Sequence, residues 1–378
     1  MKEHKNHKIL FIIVEDRYFL SHRLHLAQYA IKKGYQVGLL CKISKHKEFL
    51  ENEGIQVFDW SLVRGSFNLF FEIKAIYEIL ITLLKFAPDV LHAVALKPVI
   101  YASFASKLVF LKSRVFALGG LGFIFSSDKI LAKLLRPLIV LVLKFTFSGN
   151  KSRLIIQNID DKRTLINLKV IRDEKIDLIK GAGVDMKIFS FIKEPSQIPE
   201  VILPARLLWD KGVGEFVLAA DILKKRGINA KFTLLGETDP HNPECIPDDQ
   251  IEDWKKEGAV DVAGFQDDMA KCIQDCAVVC LPSYREGLPK SLLEAASCGR
   301  PIVTTDVPGC REIVQDGVNG YLVPSKNPDL LAEALSRLLT DRKLREVMGL
   351  KGREFVEREF SAEIVAIKTE KIWNSLLN

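Results

Sequence analysis

Short apolar runs alternate with helix-like patterns along the chain. The first run, residues 8–14, is apolar after its leading lysine, as expected for a parallel strand that is covered on both faces. A helix is predicted over residues 21–33, with Gly34 placed to end it. Further strands are predicted at residues 36–41, 55–58, 90–92, 114–117, 153–156 and 175–180.

The alternation is interrupted at residues 189–200. This stretch contains Pro195 and Pro199 and lacks apolar periodicity, so a linker is predicted there. A second series of strands is predicted at residues 201–204, 231–235, 259–262, 277–281, 302–304 and 320–323. Helices are predicted at residues 328–339, 341–357 and 361–376.

Two series of strand–helix–strand units predict an α/β fold with two Rossmann-like, doubly wound parallel sheets. We expect one domain over residues 1–185, a second over residues 186–359, and a helix over residues 360–378 that packs back on the first. A chain of 378 residues, 48% of them hydrophobic, is long enough for two such cores. Because ligands of these sheets bind beyond the carboxyl ends of the strands, a site in a central cleft is predicted.

The net charge of +6 is unevenly distributed. Residues 1–180 contain 29 Lys and Arg against 16 Asp and Glu, whereas residues 181–378 contain 25 against 32. The basic first half favours an anionic partner, and nucleic acid, an anionic membrane and a phosphorylated substrate all fit. Ordinary solvated surface lysines fit as well.

The cysteines and the apolar segments give narrower indications. Seven cysteines, an odd number, in a long chain with a polar beginning indicate reduced thiols in the cytosol and no secretory signal. No stretch reaches about 18 uncharged apolar residues, so no membrane span is predicted. Residues 69–86 and 130–147 come nearest, and the second is either a buried helix or one that lies on a membrane surface.

The most informative stretch runs from Leu281 to Val303. A strand is predicted to end at Pro282, a loop carries Glu286, and a helix starts near Pro289, where proline suits the first helical position. Amides at such a helix start can bind a diphosphate. Glu294 lies five residues beyond Pro289, roughly 7 Å along the helix axis. The two glutamates can contact hydroxyls at both ends of a sugar nucleotide, or can be a favourable N-terminal charge and a solvated side chain.

Three further elements point to the same chemistry. Arg206 follows a predicted strand and Lys211 opens a helix, so both can neutralise a diphosphate leaving group. Gly309 permits close backbone approach, with Glu312 in the turn that follows. The glycines of the Gly181-Ala-Gly segment can line a cleft. Each element is weak alone, since an isolated basic residue at a strand end is commonly a surface charge.

Together these residues resemble the family-four retaining glycosyltransferases of the GT-B fold, most strongly from Gly181 to Pro324. The family's Glu-x7-Glu pair is matched by Glu286 and Glu294. The resemblance implies that the first contacts the donor sugar and the second the nucleotide ribose. The implied donor site comprises Gly181, Gly183, Arg206, Lys211, Gly236, Glu286, Gly287, Leu288, Glu294, Gly309 and Glu312. The chain departs from its relatives at Gly287-Leu288, where they commonly have an aromatic residue and glycine.

The first half resembles members that build bacterial surface glycans on undecaprenyl diphosphate. The implied acceptor-side residues are Ser21, His22, Arg23, Lys97, Gly120 and Gly122. His92 matches a histidine near the donor sugar, so the implied catalytic set is Glu286, His92, Arg206 and Lys211. A lone histidine after a strand is, however, often a core residue.

The expected function is retaining transfer of a hexose or N-acetylhexosamine from a nucleotide sugar, with UDP preferred, to a lipid-linked glycan. The expected location is cytoplasmic, at the inner face of an anionic plasma membrane. The chain contains no Asp-x-Asp triplet, and we expect no metal and no cofactor. GDP-mannose as donor, a catalytically silent scaffold and a UDP-N-acetylglucosamine epimerase of the same fold stay open. No recognition motif supports nucleic-acid binding, and Gly-x-Gly-x-x-Gly, typical of nicotinamide enzymes, is missing after the first strand.

Overall fold

A computed structural model describes residues 7–63, 68–121, 130–149, 151–195, 198–240 and 242–377, with the backbone alone at 130–135. The chain forms two compact units, Met1–Ala182 with Ala362–Asn378, and Gly183–Ser361. Each has its own parallel sheet between helices, so the α/β fold with two Rossmann-like sheets is confirmed.

The first unit contains seven parallel strands in the order β3-β2-β1-β4-β5-β6-β7. Strand β1, between β2 and β4, is buried along most of its length because both faces are covered. The strands are β1 (Lys8–Glu15), β2 (Gln36–Lys42), β3 (Ile55–Asp59), β4 (Val90–Val94), β5 (Arg114–Leu118), β6 (Ser152–Ile156) and β7 (Ile176–Leu178).

The helices of the first unit cover both faces of this sheet. They are α1 (Asp16–His22), α2 (Leu24–Lys32), α3 (Lys47–Asn52), α4 (Leu69–Phe86), α5 (Leu96–Leu108), α6 (Ile130–Thr146), α7 (Ile159–Asn167) and α14 (Ala362–Leu377). The single helix predicted over residues 21–33 is wrong. The backbone leaves helical geometry at Arg23 (φ −134°), which separates α1 from α2. Trp373 of α14 is fully buried against Phe11 and Tyr35.

The second unit contains six parallel strands in the order β10-β9-β8-β11-β12-β13. They are β8 (Glu200–Pro204), β9 (Lys231–Leu235), β10 (Asp261–Gly264), β11 (Val278–Leu281), β12 (Ile302–Thr305) and β13 (Gly320–Val323). Its helices are α8 (Val213–Lys225), α9 (Asp248–Glu257), α10 (Met269–Asp275), α11 (Lys290–Ser297), α12 (Pro328–Thr340) and α13 (Arg342–Glu359).

The segment predicted as a linker is part of the second unit. Phe189 is buried in its core, and Glu194 forms a buried ion pair with Arg345 at 2.6 Å. A buried charge is tolerated when it is paired and hydrogen-bonded, and Arg345 also donates to the carbonyl of Leu338. The prolines therefore mark an irregular segment that is packed against the second unit.

Two further properties of the described ranges bear on function. No helix there combines the length and the apolar character needed to cross a bilayer. All seven cysteines are free thiols, and within the same ranges no group of three or more His, Cys, Asp or Glu side chains is arranged to hold a metal ion.

Candidate functional site

The loops that follow β8 and β11 meet at one edge of the second sheet. The two strands are adjacent and parallel, so both loops leave at their carboxyl ends. A short turn, Trp209–Lys211, ends at Gly212, whose φ is +71°. A Cβ atom at Gly212 would lie 2.1 Å from the carbonyl oxygen of Pro282. The amide of Tyr284 donates to the carbonyl of Asp210 at 2.9 Å, so the two loops are in direct backbone contact.

This contact brings Lys211 and Glu286 together. Lys211 Nζ lies 2.6 Å from Glu286 Oε1, and the hydroxyl of Ser283 donates to the same oxygen at 2.7 Å. The two side chains are 18% and 12% exposed, so the pair is partly shielded and still reachable by a ligand. Residues that the sequence assigns to separate motifs thus form one polar cluster.

Arg206 lies in the same loop as Lys211 and is paired with Asp239. Its NH1 atom is 2.5 Å from Asp239 Oδ2, and the guanidinium side chain is 45% exposed. Asp239 follows β9, the strand on the other side of β8. The two loops approach closely at Gly236 (φ +156°), where a Cβ atom would lie 1.9 Å from the carbonyl oxygen of Ala205.

The loop after β12 completes this edge. A Cβ atom at Gly309 (φ +84°) would lie 2.4 Å from the carbonyl oxygen of Gly287 and 2.8 Å from that of Glu286. Gly309 therefore allows two loops to touch at the residue that carries the glutamate. Next to it, burial and then the charge of Glu286 raise the pKa of the Cys310 thiol to about 12, so this thiol stays protonated.

Glu294 lies in the second turn of α11 and is buried beside Lys290 of the same helix. Burial raises the pKa of its carboxyl group, and the neighbouring ammonium partly opposes this shift. The helix begins at Lys290, so Pro289 precedes it and does not occupy its first position. The side chain of Leu288 packs in the core of the second unit, which leaves only its backbone for a ligand.

Four residues near Lys211, Glu286 and Arg206 were not among the predicted site residues. Ser283 and Asp239 hold Glu286 and Arg206, as described above. The hydroxyl of Tyr284 donates to Glu215 at 2.7 Å, and burial followed by this bond raises the pKa of Tyr284. Nearby, burial raises the pKa of Asp210, whose buried Oδ1 atom has no hydrogen-bond partner. The signal available in the sequence was only their nearness to Lys211, Glu286 and the end of β9.

The remaining predicted donor residues are placed less specifically. Gly181 (φ +73°) and Gly183 (φ +84°) adopt the left-handed conformation after β7. Glu312 is half-buried in the turn that follows Gly309. Their contact with a donor stays a prediction.

The acceptor-side residues of the first unit fall into separate groups. The ring of His22 stacks on Tyr18 at 4.2 Å, and Ser21 Oγ is 2.7 Å from His22 Nδ1. Lys97 is paired with Glu72 at 2.8 Å. Gly120 is half-buried, and Gly122 lies outside the described residues.

Arg23, which the resemblance places on the acceptor side, lies in the interior of the first unit. Its side chain is almost fully buried, and its Nε atom has no hydrogen-bond partner. Burial lowers the pKa of the guanidinium group. The arginine that interrupts the first helix is therefore a core residue of its unit.

His92, which the resemblance places in the catalytic set, lies inside the core of the first unit. It is the third residue of β4 and is fully buried, with its ring stacked on Phe11 at 5.1 Å. The indole Nε1 of Trp373 donates to His92 Nδ1 at 3.2 Å. Burial, reinforced by the charge of Arg23, lowers the pKa of His92 well below its ordinary value near 6.5. The ring is thus neutral and enclosed in the core of the first unit, which favours the alternative of a core histidine.

The edge formed by the loops after β8, β9, β11 and β12 suits a diphosphate. Two cationic groups lie there, and α11 begins just after Glu286, so its N-terminus can favour an anion. An ammonium group has three donors, so Lys211 can keep Glu286 while it donates to phosphate oxygens. Groups held in this way can stabilise charge that develops on a leaving group.

Comparison with known proteins gives two family matches that together span most of the chain. Residues 186–355 match the family described as glycosyl transferases group 1. Residues 8–158 match the family described as glycosyl transferase 4-like.

Similar proteins include one of Campylobacter jejuni named N,N'-diacetylbacillosaminyl-diphospho-undecaprenol alpha-1,3-N-acetylgalactosaminyltransferase. The chain is 31% identical to it over 323 residues, which cover 82% of this chain and 83% of the relative. A putative colanic acid biosynthesis glycosyltransferase of Escherichia coli, WcaL, is 33% identical over 51% of this chain and 49% of its own length.

Solved structures of similar fold align over almost the full chain. Sucrose-phosphate synthase from Thermosynechococcus elongatus aligns with a TM-score of 0.80 at 19% identity, covering 98% of this chain and 99% of that one. HepE of Anabaena, in complex with UDP and glucose, aligns with a TM-score of 0.78 at 18% identity, covering 98% and 100%. At these identities the likeness establishes the fold alone.

Proposed function

The chain belongs to the group 1 family of GT-B glycosyltransferases, and from this premise we propose that it transfers a sugar to a lipid-linked glycan with retention of configuration. The proposed donor is a UDP-linked hexose or N-acetylhexosamine. The proposed setting is the inner face of a bacterial plasma membrane, where surface polysaccharides or glycoproteins are assembled. A relative named for transfer to a diphospho-undecaprenol-linked sugar, and others named for capsule and colanic acid biosynthesis, support this setting.

The observation that carries the proposal is the contact of Lys211 with Glu286 beside Arg206. Two cations that a leaving diphosphate needs, and a carboxylate that can accept hydrogen bonds from sugar hydroxyls, lie at one sheet edge. Cys310, beside this edge, is buried, and its thiol pKa is raised to about 12, so this thiol stays protonated.

The proposed reaction needs no covalent intermediate with the protein. The bond between the anomeric carbon and the diphosphate oxygen breaks, and its electron pair stays on the diphosphate. The acceptor oxygen bonds the anomeric carbon from the same face, and its proton passes to a diphosphate oxygen. Lys211 and Arg206 stabilise the departing charge, whereas Glu286 orients the donor sugar. The net result is retention.

The first unit is proposed to bind the acceptor. Its excess of basic residues matches a lipid diphosphate in an anionic membrane. Ser21, His22 and Lys97 stay candidates for acceptor contacts, because their side chains are at least partly exposed. His92 and Arg23 have no part in this proposal.

The proposal is tested by incubating the protein with a panel of UDP- and GDP-linked sugars and a bacterial membrane extract. Mass spectrometry should show one sugar added to a lipid-linked product, and NMR of that product should show the anomeric configuration of the donor. A parallel incubation without acceptor separates an epimerase, since only an epimerase isomerises the donor. Nucleotide binding without turnover of any donor would favour a silent scaffold.

A further inference from the structure

Helix α4 carries apolar side chains on two opposite sides. One side packs into the core of the first unit through residues that include Ile79 and Leu83. The other side is exposed by 58% to 71% and repeats at helical spacing. Its members are Phe70, Ile73, Tyr77 and Leu84. A helix on the surface of a globular protein normally has the core stripe and a polar outer face, so the second stripe needs another partner.

The exposed stripe continues across two neighbouring helices. Helix α5 packs against both α4 and α6, and the rings of Phe104 (α5) and Phe145 (α6) are 4.9 Å apart. Leu138 and Leu141 of α6 are exposed at spacings of seven and four residues from Phe145. We call the exposed apolar side chains of α4, α5 and α6, with Phe110 just after α5, the apolar face.

The exposed apolar side chains of the first unit are concentrated on the apolar face. Among the described residues of the first unit, large exposed apolar side chains outside the apolar face are Phe49, Val63 and Ile367. Exposed apolar residues scattered singly are ordinary, whereas a contiguous patch marks an interaction surface.

The exposed charges near the apolar face include three lysines, and the carboxylates of α4 are bound to other residues. Lys85, Lys112 and Lys144 are exposed on α4, after α5 and on α6. The two carboxylates of α4 are held by other partners: Glu72 by Lys97, and Glu78 by Ser61. Three exposed lysines therefore lie beside the apolar face, and positive charge there can attract anionic lipid head groups.

A groove also opens on the apolar face. It lies between the carboxyl-terminal ends of α4 and α5, has a volume of about 350 Å³ and includes Leu84, Phe110 and Lys112 in its lining. Its lining is mostly apolar and includes one lysine. The apolar part could hold an acyl chain, and the lysine could bind the phosphate head group above it.

We propose that the apolar face docks on an anionic bilayer, with α4 and α6 lying on its surface and their outer side chains in the acyl–headgroup boundary. The occupant is a bilayer and not a second copy of the chain, because a two-fold contact through this face would bring the same lysines toward one another. The inference rests on the proposed function in one respect: a lipid-linked acceptor explains why the protein would bind a membrane. The surface itself is argued from its side chains.

Co-sedimentation with lipid vesicles tests the proposal, using the full chain and two vesicle compositions. We expect strong binding to vesicles with phosphatidylglycerol and at least about tenfold weaker binding to phosphatidylcholine alone. The variant Phe70→Ser/Tyr77→Ser/Leu141→Ser should lose at least about a hundredfold in affinity, since each side chain contributes about tenfold. The matched control Leu218→Ser/Phe265→Ser/Val347→Ser replaces residues of the second unit that are 54%, 56% and 57% exposed and should bind like the unsubstituted protein.

A charge variant keeps the test valid should the apolar triple variant fail to fold. Lys85→Glu/Lys112→Glu/Lys144→Glu should lose at least about a hundredfold in affinity for anionic vesicles. Unchanged binding in either folded variant overturns the proposal. So does a concentration-dependent dimer, seen by sedimentation velocity, that the apolar triple variant abolishes, because the second copy is then the occupant.

Sugar transfer to a detergent-solubilised lipid acceptor, measured with the same preparations, separates this inference from the proposed function. If the apolar face is not a membrane surface but the protein still transfers sugar to a detergent-solubilised lipid acceptor, only the docking proposal fails. If vesicle binding follows the predictions but no donor is turned over, the docking surface stands and the proposed activity fails.

Discussion

At the scale of single residues, the contact of Lys211 with Glu286 could serve two parts of the proposed donor, its sugar and its diphosphate. The carboxylate accepts from Lys211 and from Ser283 through the same oxygen, Oε1. A carboxylate has a second accepting oxygen, which can bind a sugar hydroxyl, while the remaining protons of the ammonium group can meet a diphosphate. In the proposed reaction, this contact would link recognition of the sugar to stabilisation of the leaving group.

Replacing the charge of Glu286 should therefore impair transfer more than folding. In Glu286→Gln we expect the rate of transfer to fall at least about a hundredfold, because a neutral amide binds the sugar and the lysine more weakly. Thermal unfolding should change little. The control Glu252→Gln alters an exposed glutamate paired with Lys255 and should keep normal transfer. Near-normal turnover in folded Glu286→Gln would remove this residue from the site.

His92 gives a prediction about stability at acid pH. Its folded-state pKa is lowered well below the ordinary value near 6.5, so below that pH the unfolded chain binds a proton that the folded protein does not. The free energy of unfolding should therefore fall as the pH drops through 6.5. For His92 alone the loss between pH 7.5 and pH 5.5 is at most about 1.4 kcal/mol.

The variant His92→Gln isolates this effect, because glutamine can accept from Trp373 and does not titrate. Urea unfolding at pH 7.5 and pH 5.5 should show a smaller acid-dependent loss in the variant by about 1 kcal/mol. Transfer at pH 7.5 should be largely retained. A large loss of transfer in a stably folded variant would instead support the catalytic role that the resemblance implies.

At the scale of elements, the site depends on loops that approach one another at glycines. Gly309 and Gly317 are matched for a test, since both have a positive φ but only Gly309 faces another backbone within 4 Å. Gly317→Ala should cost roughly 1 kcal/mol of stability and keep transfer. Gly309→Ala should reduce transfer more than tenfold, because its Cβ atom displaces the carbonyls of Glu286 and Gly287. Equal transfer in the two variants would contradict this reading of the loop.

The elements also show what the sequence could predict. Strands such as β1 and β11 are buried on both faces, so their apolar runs are unambiguous, and most predicted strands lie within a few residues of their observed bounds. Lys211 and Glu286 could be named as candidate site residues from their motifs, but their contact could not be predicted, since it depends on the order of the strands in the sheet.

Other features carried no local signal in the chain. The break at Arg23 lies within a sequence that keeps helical periodicity. The pairing of Asp239 with Arg206 joins loops after two different strands. The burial of His92 depends on Trp373, 281 residues away, so a single histidine after a strand could be assigned either way until α14 was placed.

At the scale of the whole molecule, the end of the chain stabilises its beginning. Helix α14 belongs to the first unit, where Trp373 packs against Phe11, Tyr35 and His92. Trp373→Ala should lower the stability of the first unit by about 3 to 5 kcal/mol. In calorimetric unfolding, the transition that is insensitive to added UDP should shift, whereas the UDP-stabilised transition should stay. A shift of both would show that the two units unfold together.

The central claim is that the edge of the second sheet binds the diphosphate of a nucleotide sugar. Isothermal titration of UDP and GDP into the unsubstituted protein and Lys211→Met tests it most directly, with Lys225→Met, an exposed lysine of α8, as control. We predict binding of UDP by the unsubstituted protein and the control, and at least about tenfold weaker binding by Lys211→Met. Equal affinity in Lys211→Met, or no binding of either nucleotide, would contradict the account.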